Sequence, residues 1–202
     1  MNTPLLIAYL GTVILLIATP GPVVLLVVET SSRAGTAKAV KTALGANAAS
    51  LILVAAAAAV LAGSLAISPQ LLQWGGLLGC LFIGWLGFSG LRDSASAETS
   101  VAPRASGWWQ GFVIGISNPK DILFFVALFP QFIPVTDSFG VSIGLLAVLW
   151  LIVDLGILAL YIGLTRHALA QRYRAGVSRL SGWGLLILGG MGAVYWTGVL
   201  TG

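Results

Sequence analysis

The sequence predicts an all-α membrane protein of six transmembrane helices, built as a three-plus-three inverted repeat in which helices one and four are interrupted by Pro and Gly. Three observations carry this: uncharged apolar runs of bilayer length, a one-sided distribution of cations, and two proline-bearing breaks 99 residues apart in a chain of 202. Composition sets the frame. Hydrophobic residues make up 58% of the chain and charged residues 8%, where an ordinary soluble domain carries roughly 25% charge. Ten Lys and Arg and six Asp and Glu give too little polar surface for a water-facing exterior, and 26 Gly are too many for a compact helical core in water. A soluble globular enzyme is excluded, and the mean hydropathy of +1.01 points to lipid as the main solvent.

The apolar runs fall at about 4–28, 42–63, 70–91, 109–133, 140–165 and 182–200, each near the ~20 residues needed to cross hydrocarbon. No Lys or Arg precedes the first run, the first cation being Arg33, and the run is longer than the apolar core of a secretory signal, so it is expected to stay as a span. The unbroken stretches Leu51–Leu61 and Leu185–Leu188 rule out the apolar/polar alternation of an outer-membrane strand. The connections then set orientation. Arg33, Lys38 and Lys41 follow span one, Arg92 and Arg104 follow span three, and Arg166, Arg172, Arg174 and Arg179 follow span five. The N-terminus, the 64–69 loop, the 134–139 loop and the C-terminal end carry no Lys or Arg. The positive-inside rule therefore puts both termini outside and three basic loops in the cytoplasm, which accounts for the net charge of +4 without nucleic acid. Trp108, Trp109 and Trp183 fall at the cytoplasmic ends and Trp74 and Trp196 nearer the outer ends, as interfacial anchors. His167 and the segment Arg166 to Arg179 read as a solvated loop. The whole chain, 1–202, is read as one transmembrane domain with halves at about 1–95 and 105–202 and a cytoplasmic linker at 92–107.

Span one contains Thr19-Pro20-Gly21-Pro22 and span four contains Ser117-Asn118-Pro119-Lys120-Asp121. The same offset maps span two onto span five, and halves with an odd number of crossings must be inverted. Inverted halves with Gly/Pro-broken helices at matching positions point to a transporter binding site. Pro lacks an amide hydrogen and clashes with the carbonyl four residues back, so Pro119 is expected to free the Gly115 carbonyl, and Pro20 and Pro22 those of Leu16 and Ala18. In hydrocarbon such backbone is tolerable only where it packs in protein or lines a watered cavity. The alternative is a plain proline kink in a packed bundle.

Lys120 and Asp121 fall near the middle of span four and Asp154 near the middle of span five, each costing roughly 2.5–3.5 kcal/mol on insertion scales. Trp150, Asp154 and Tyr161 share one helical face, and Gly111, Gly115, Asn118 and Asp121 another, so both stripes are expected to face a shared cavity. Asn47, Ser50, Thr12 and Thr19 add uncharged hydrogen-bonding groups at similar depth. With one cation and two carboxylates, pairing Lys120 with one acid leaves the other without a partner, and a lone carboxylate there is suited to taking and releasing a proton. Asp154 is the first choice because Asp121 is next to Lys120 in sequence. A structural ion-pair network joining spans four and five is the other reading. Glu29 beside Arg33 marks the interface. Gly75 with Gly79, Gly111 with Gly115, and Gly140 with Gly144 permit close helix approach, and Cys80 reads as inert filling.

Over nearly its whole length the chain resembles the LysE/RhtB family of bacterial amino-acid exporters. The matching blocks are Thr19-Pro20-Gly21-Pro22 with Arg33-Ala34-Gly35 and Ala43-Leu44-Gly45; Gly79-Cys80-Leu81-Phe82 through Gly87 near Arg92; and Asn118-Pro119-Lys120 with Leu123-Phe124-Phe125 and Pro130-Gln131-Phe132. Ser181-Gly182 with Gly189 fits the start of the last span. Val23 stands where many relatives carry a polar residue, and Phe82 where Tyr is frequent. The resemblance implies a proton-driven secondary exporter of amino acids or their derivatives in the bacterial cytoplasmic membrane, with no cofactor.

The expected mechanism is alternating access of the two halves about a midplane site formed by Thr19, Pro20, Gly21, Pro22, Asn47, Asn118, Pro119, Lys120 and Trp150. Amides at the breaks and Lys120 would hold the substrate carboxylate, free carbonyls or a carboxylate its ammonium, and Asp154, with Asp121, would exchange the proton. A homodimer is left open. The rival readings are an inorganic-ion permease, for which the acids, Met and Cys are too few; a thiol-redox carrier, which needs two Cys where there is one; and a non-transporting structural protein. One His and one Cys also exclude a Cys/His zinc site, and a hydrolase would want Ser with His.

Overall fold

The computed structural model describes residues 1–63, 69–93, 107–165 and 169–201. Arg104, Arg166, His167 and most of the 64–69 loop and of the expected linker lie outside these residues.

The described residues are helical with short turns between helices. Helix α1 (Thr3–Ala18) opens on Asn2, whose side chain accepts from the Leu5 amide at 3.1 Å. It stops where Pro20 cannot donate, and the backbone runs extended through Thr19 and Gly21 before α2 (Pro22–Ala34) starts on a proline, whose missing amide costs nothing at a first helical position. The two helices meet at 52°. Gly35, at φ +86°, turns the chain into α3 (Thr36–Gly63). Helix α4 (Pro69–Asp93) precedes α5 (Trp108–Ile116), which bends by 48° into a second helical stretch, Pro119–Val135.

That stretch comprises α6 (Pro119–Leu123), a π-helical turn over Phe124–Leu128, α7 (Phe129–Phe132) and a 3-10 turn over Ile133–Val135. The wide turn has a local cause: Pro130 has no amide hydrogen for the carbonyl of Val126, and the Phe129 amide reaches instead to the carbonyl of Phe124. Helices α8 (Phe139–Thr165) and α9 (Leu169–Thr201) complete the chain.

By length and composition, α3, α8 and residues 182–201 of α9 can each cross a bilayer, and each bent pair can supply one more span, giving up to five among the described residues. One expectation is corrected. Residues 169–179, read as part of a solvated loop, belong to α9, because Ala, Leu, Gln and Arg are good helix formers and apolarity marks only the part of a helix that sits in hydrocarbon.

Helix α4 packs along α9 and α3 along α5, while α2 lies against both α3 and α8. The α3–α5 contact is backbone to backbone: a Cβ at Gly45 would overlap the Trp108 carbonyl, and one at Gly111 the Thr42 carbonyl. Gly111 and Gly115 therefore face α3, not the cavity that their spacing suggested. Gly140 and Gly144 have nothing packed on them, and Cys80 is buried beside Gly192 of α9. A cluster of Tyr9, Phe124, Phe125, Phe129, Phe132 and Trp150 fills the core. Trp74, Trp108, Trp109 and Trp183 are exposed.

Candidate functional site

Helix α8 buries every fourth residue along one line, Ser142, Leu146, Trp150, Asp154, Leu158 and Ile162. This places the Asp154 carboxylate inside the bundle, opposite the two breaks. Asp154, Lys120 and Asp121 are all buried at 7% exposure, where an ionised side chain in water would be free. They share the wall of one cavity with Asn118 and Gly21, and Ile17, Val23, Val24, Ala46, Ser50 and Leu158 complete the lining. The cavity holds about 20 Å³, room for roughly one water molecule, since one needs at least about 10–15 Å³.

The first break is held open by partners from distant elements. The Lys120 ammonium donates to the carbonyl of Leu16 at 2.5 Å and to that of Thr19 at 3.0 Å, and the Tyr161 hydroxyl donates to the carbonyl of Ala18 at 2.8 Å. Leu16 and Ala18 are the carbonyls that Pro20 and Pro22 strip of helical donors. The α1 C-terminus also attracts a cation, because its unpaired carbonyls carry the negative end of the helix dipole. Thr19 additionally donates its hydroxyl to the Leu15 carbonyl at 2.8 Å.

The second break is closed locally. The Asn118 amide donates to the Gly115 carbonyl at 3.1 Å, and the Asn118 side chain accepts from the Lys120 amide at 3.3 Å, capping α6. Across from it, the Asn47 side-chain amide donates to Asp154 at 2.5 Å. Among the described residues Lys120 forms no ion pair with either acid, its ammonium being turned to the α1 carbonyls. The expected direct pairing of Lys120 with one carboxylate is thus not a contact of this structure. The one ion pair among the described residues is Glu29 with Arg33, a single turn apart at 3.1 Å and away from the cavity.

Of the remaining sequence candidates, Thr19 and Asn47 are buried and reach the cavity through Lys120 and Asp154, and Pro20 is half-buried at the bend. Pro22 and Pro119 are exposed and act on the site only by opening the helices. Trp150 packs with tilted rings against Phe124 and Phe125 one turn from Asp154 and does not reach the cavity wall. Its indole N–H and the Asn47 side-chain oxygen have no hydrogen-bond partner, which is uncommon for buried polar atoms.

The arrangement is a broken-helix polar centre inside an apolar bundle. A family model described as LysE type translocator matches residues 14–195. The chain belongs to the LysE type translocator family. Among similar proteins, an uncharacterised membrane protein of Pseudomonas aeruginosa is 29% identical over 198 residues, 90% of each chain. A leucine efflux protein of Klebsiella pneumoniae is 30% identical over 148 residues, covering 70% of this chain and 69% of that protein. The leucine efflux protein of Salmonella choleraesuis is 32% identical over 145 residues, 69% and 68% of the two chains. No solved structure matches. In this LysE translocator Ile17, Val24 and Ala46 of the apolar cavity wall escaped sequence reasoning because nothing sets them apart from other apolar residues, whereas Val23 had stood out as apolar where many relatives carry a polar residue. Leu158 carried a weaker signal, lying one turn after Asp154.

Proposed function

We propose that this LysE translocator is a secondary exporter that moves amino acids or their derivatives outward across the bacterial cytoplasmic membrane, coupled to protons. The observation that carries the reading is the convergence of Lys120, Asp121 and Asp154 on one buried cavity between two bent helix pairs. Three ionisable groups at that depth are costly, roughly 2.5–3.5 kcal/mol each, and a stable bundle has no need of them. The leucine efflux relatives favour an amino acid as cargo, and the mixed polar and aliphatic lining suits a zwitterion with an apolar side chain.

On this reading α4 is the third of six spans, the two halves form an inverted repeat joined by a cytoplasmic linker, both termini lie outside, and two copies can pair. The cavity is too small for an amino acid, so loading requires the halves to part. Three contacts between span one and α8 would break in turn: Tyr9 hydroxyl to the Leu146 carbonyl at 2.8 Å, Tyr161 to Ala18, and Ser31 with Thr165 at 2.7 Å. Thr19, Gly21, Asn118 and Lys120 would hold the cargo's charged ends, with Pro20, Pro22 and Pro119 keeping the helices open and Asn47 offering its unmet side-chain oxygen. Asp154, assisted by Asp121, would carry the proton.

The test is leucine flux in proteoliposomes under an imposed pH gradient. Lys120→Ala is expected to abolish gradient-driven flux, and Asp154→Asn to leave exchange while removing the response to the gradient. Full gradient-driven flux in Asp154→Asn would remove it from proton coupling.

A further inference from the structure

The ammonium of Lys120 sits at the C-terminal end of α1, where unpaired helix carbonyls attract a cation. Its two acceptors are main-chain carbonyls of Leu16 and Thr19, the wall beside it is Gly21, where a Cβ would stand 3.3 Å from the Lys120 nitrogen, and no carboxylate is paired with it. The carbonyls cannot be left bare, since unsatisfied backbone at this depth costs several kcal/mol. They cannot serve Lys120 and a cargo ammonium equally well at once, because each carbonyl presents its lone pairs to the same narrow space.

We propose that the Leu16 and Thr19 carbonyls form an exchangeable ammonium site, in which Lys120 is the resident occupant and the ammonium of the cargo displaces it. This rests on the exporter reading and deepens it. Once the halves part to admit the cargo, the displaced Lys120 swings to the cargo carboxylate, so both charged ends of a zwitterion are satisfied in one exchange. A ligand with only one of the two charges gains nothing: an amine merely exchanges one ammonium for another on the carbonyls and brings no anion for Lys120, and a carboxylate would find Lys120 still held by the carbonyls. The empty carrier, in turn, keeps its break sealed by its own side chain.

The experiment is thermal unfolding of the purified full chain in detergent with added small ions. In Lys120→Ala, ethylammonium chloride at about ten times its dissociation constant is expected to raise the midpoint by about 3–6 °C, while the unaltered protein moves by less than about 1 °C. Sodium chloride and ethanol serve as controls. In the unaltered protein, leucine is expected to stabilise, whereas 3-methylbutylammonium and 4-methylpentanoate, which each lack one charge, do not. Ethylammonium acting equally on both proteins, or 4-methylpentanoate matching leucine, overturns the proposal. Should Lys120→Ala fail to fold, the comparison of leucine with its two single-charge analogues decides alone. If no amino acid shifts the unaltered protein while ethylammonium stabilises Lys120→Ala, the ammonium site stands and the exporter reading falls.

Discussion

The two bent helix pairs look alike in sequence and bend by similar angles, 52° and 48°, yet they are held by different means. At the second break Asn118 does everything locally, its backbone amide closing on Gly115 and its side chain capping α6. At the first, no neighbour in sequence can serve the carbonyls of Leu16, Ala18 and Thr19, and the donors come from Lys120 and Tyr161, each more than a hundred residues away. A break capped by its own residues moves as a unit. A break capped by donors more than a hundred residues away changes whenever those regions change their relation, so under the proposed alternating access the first break is where motion and cargo binding would meet.

Substitutions at the donors separate the two cases. The largest effect is expected for Lys120→Ala, which orphans two buried carbonyls at about 1–3 kcal/mol each and leaves a void. Unfolding in detergent should show a loss of roughly 2–6 kcal/mol, and an unchanged midpoint would mean that the first break does not depend on the other half. Tyr161→Phe removes one donor at the same break and should cost about 1–3 kcal/mol in the same assay. Asn118→Ala, at the self-capped break, is expected to cost about 0.5–2 kcal/mol, the usual worth of a helix cap, and to leave the Lys120 contacts in place. Its cost exceeding that of Lys120→Ala would reverse the comparison. Arg33→Gln breaks an exposed pair one turn apart, worth about 0.3–0.5 kcal/mol, and should fall within the noise of the measurement.

Much of this was legible in the sequence because the rules involved are local. Pro20 and Pro22 name the carbonyls they strip, and the structure shows those of Leu16 and Ala18 served by side chains instead of amides. The breaks lie where the prolines put them, and Asp154 lies on the buried line of α8. Other readings depended on facts that spacing does not hold. Gly111 and Gly115 share a helical face with Asp121 on paper, but the 48° bend between them turns the glycines onto α3 and the acid onto the cavity. Trp150 shares a face with Asp154, but the width of an indole lodges it against Phe124 and Phe125. The segment after residue 168 carries too much charge to read as a span, yet charge does not prevent a helix.

The sequence by itself determined that this chain lives in lipid, where its helices break, and which three ionisable groups are stranded with those breaks, because hydrophobicity and the chemistry of proline act within a few residues. Only the tertiary structure decided which partner each stranded group takes. Lys120 chose two carbonyls over two nearby acids, and that choice depends on how helices a hundred residues apart come together, which no local rule can specify.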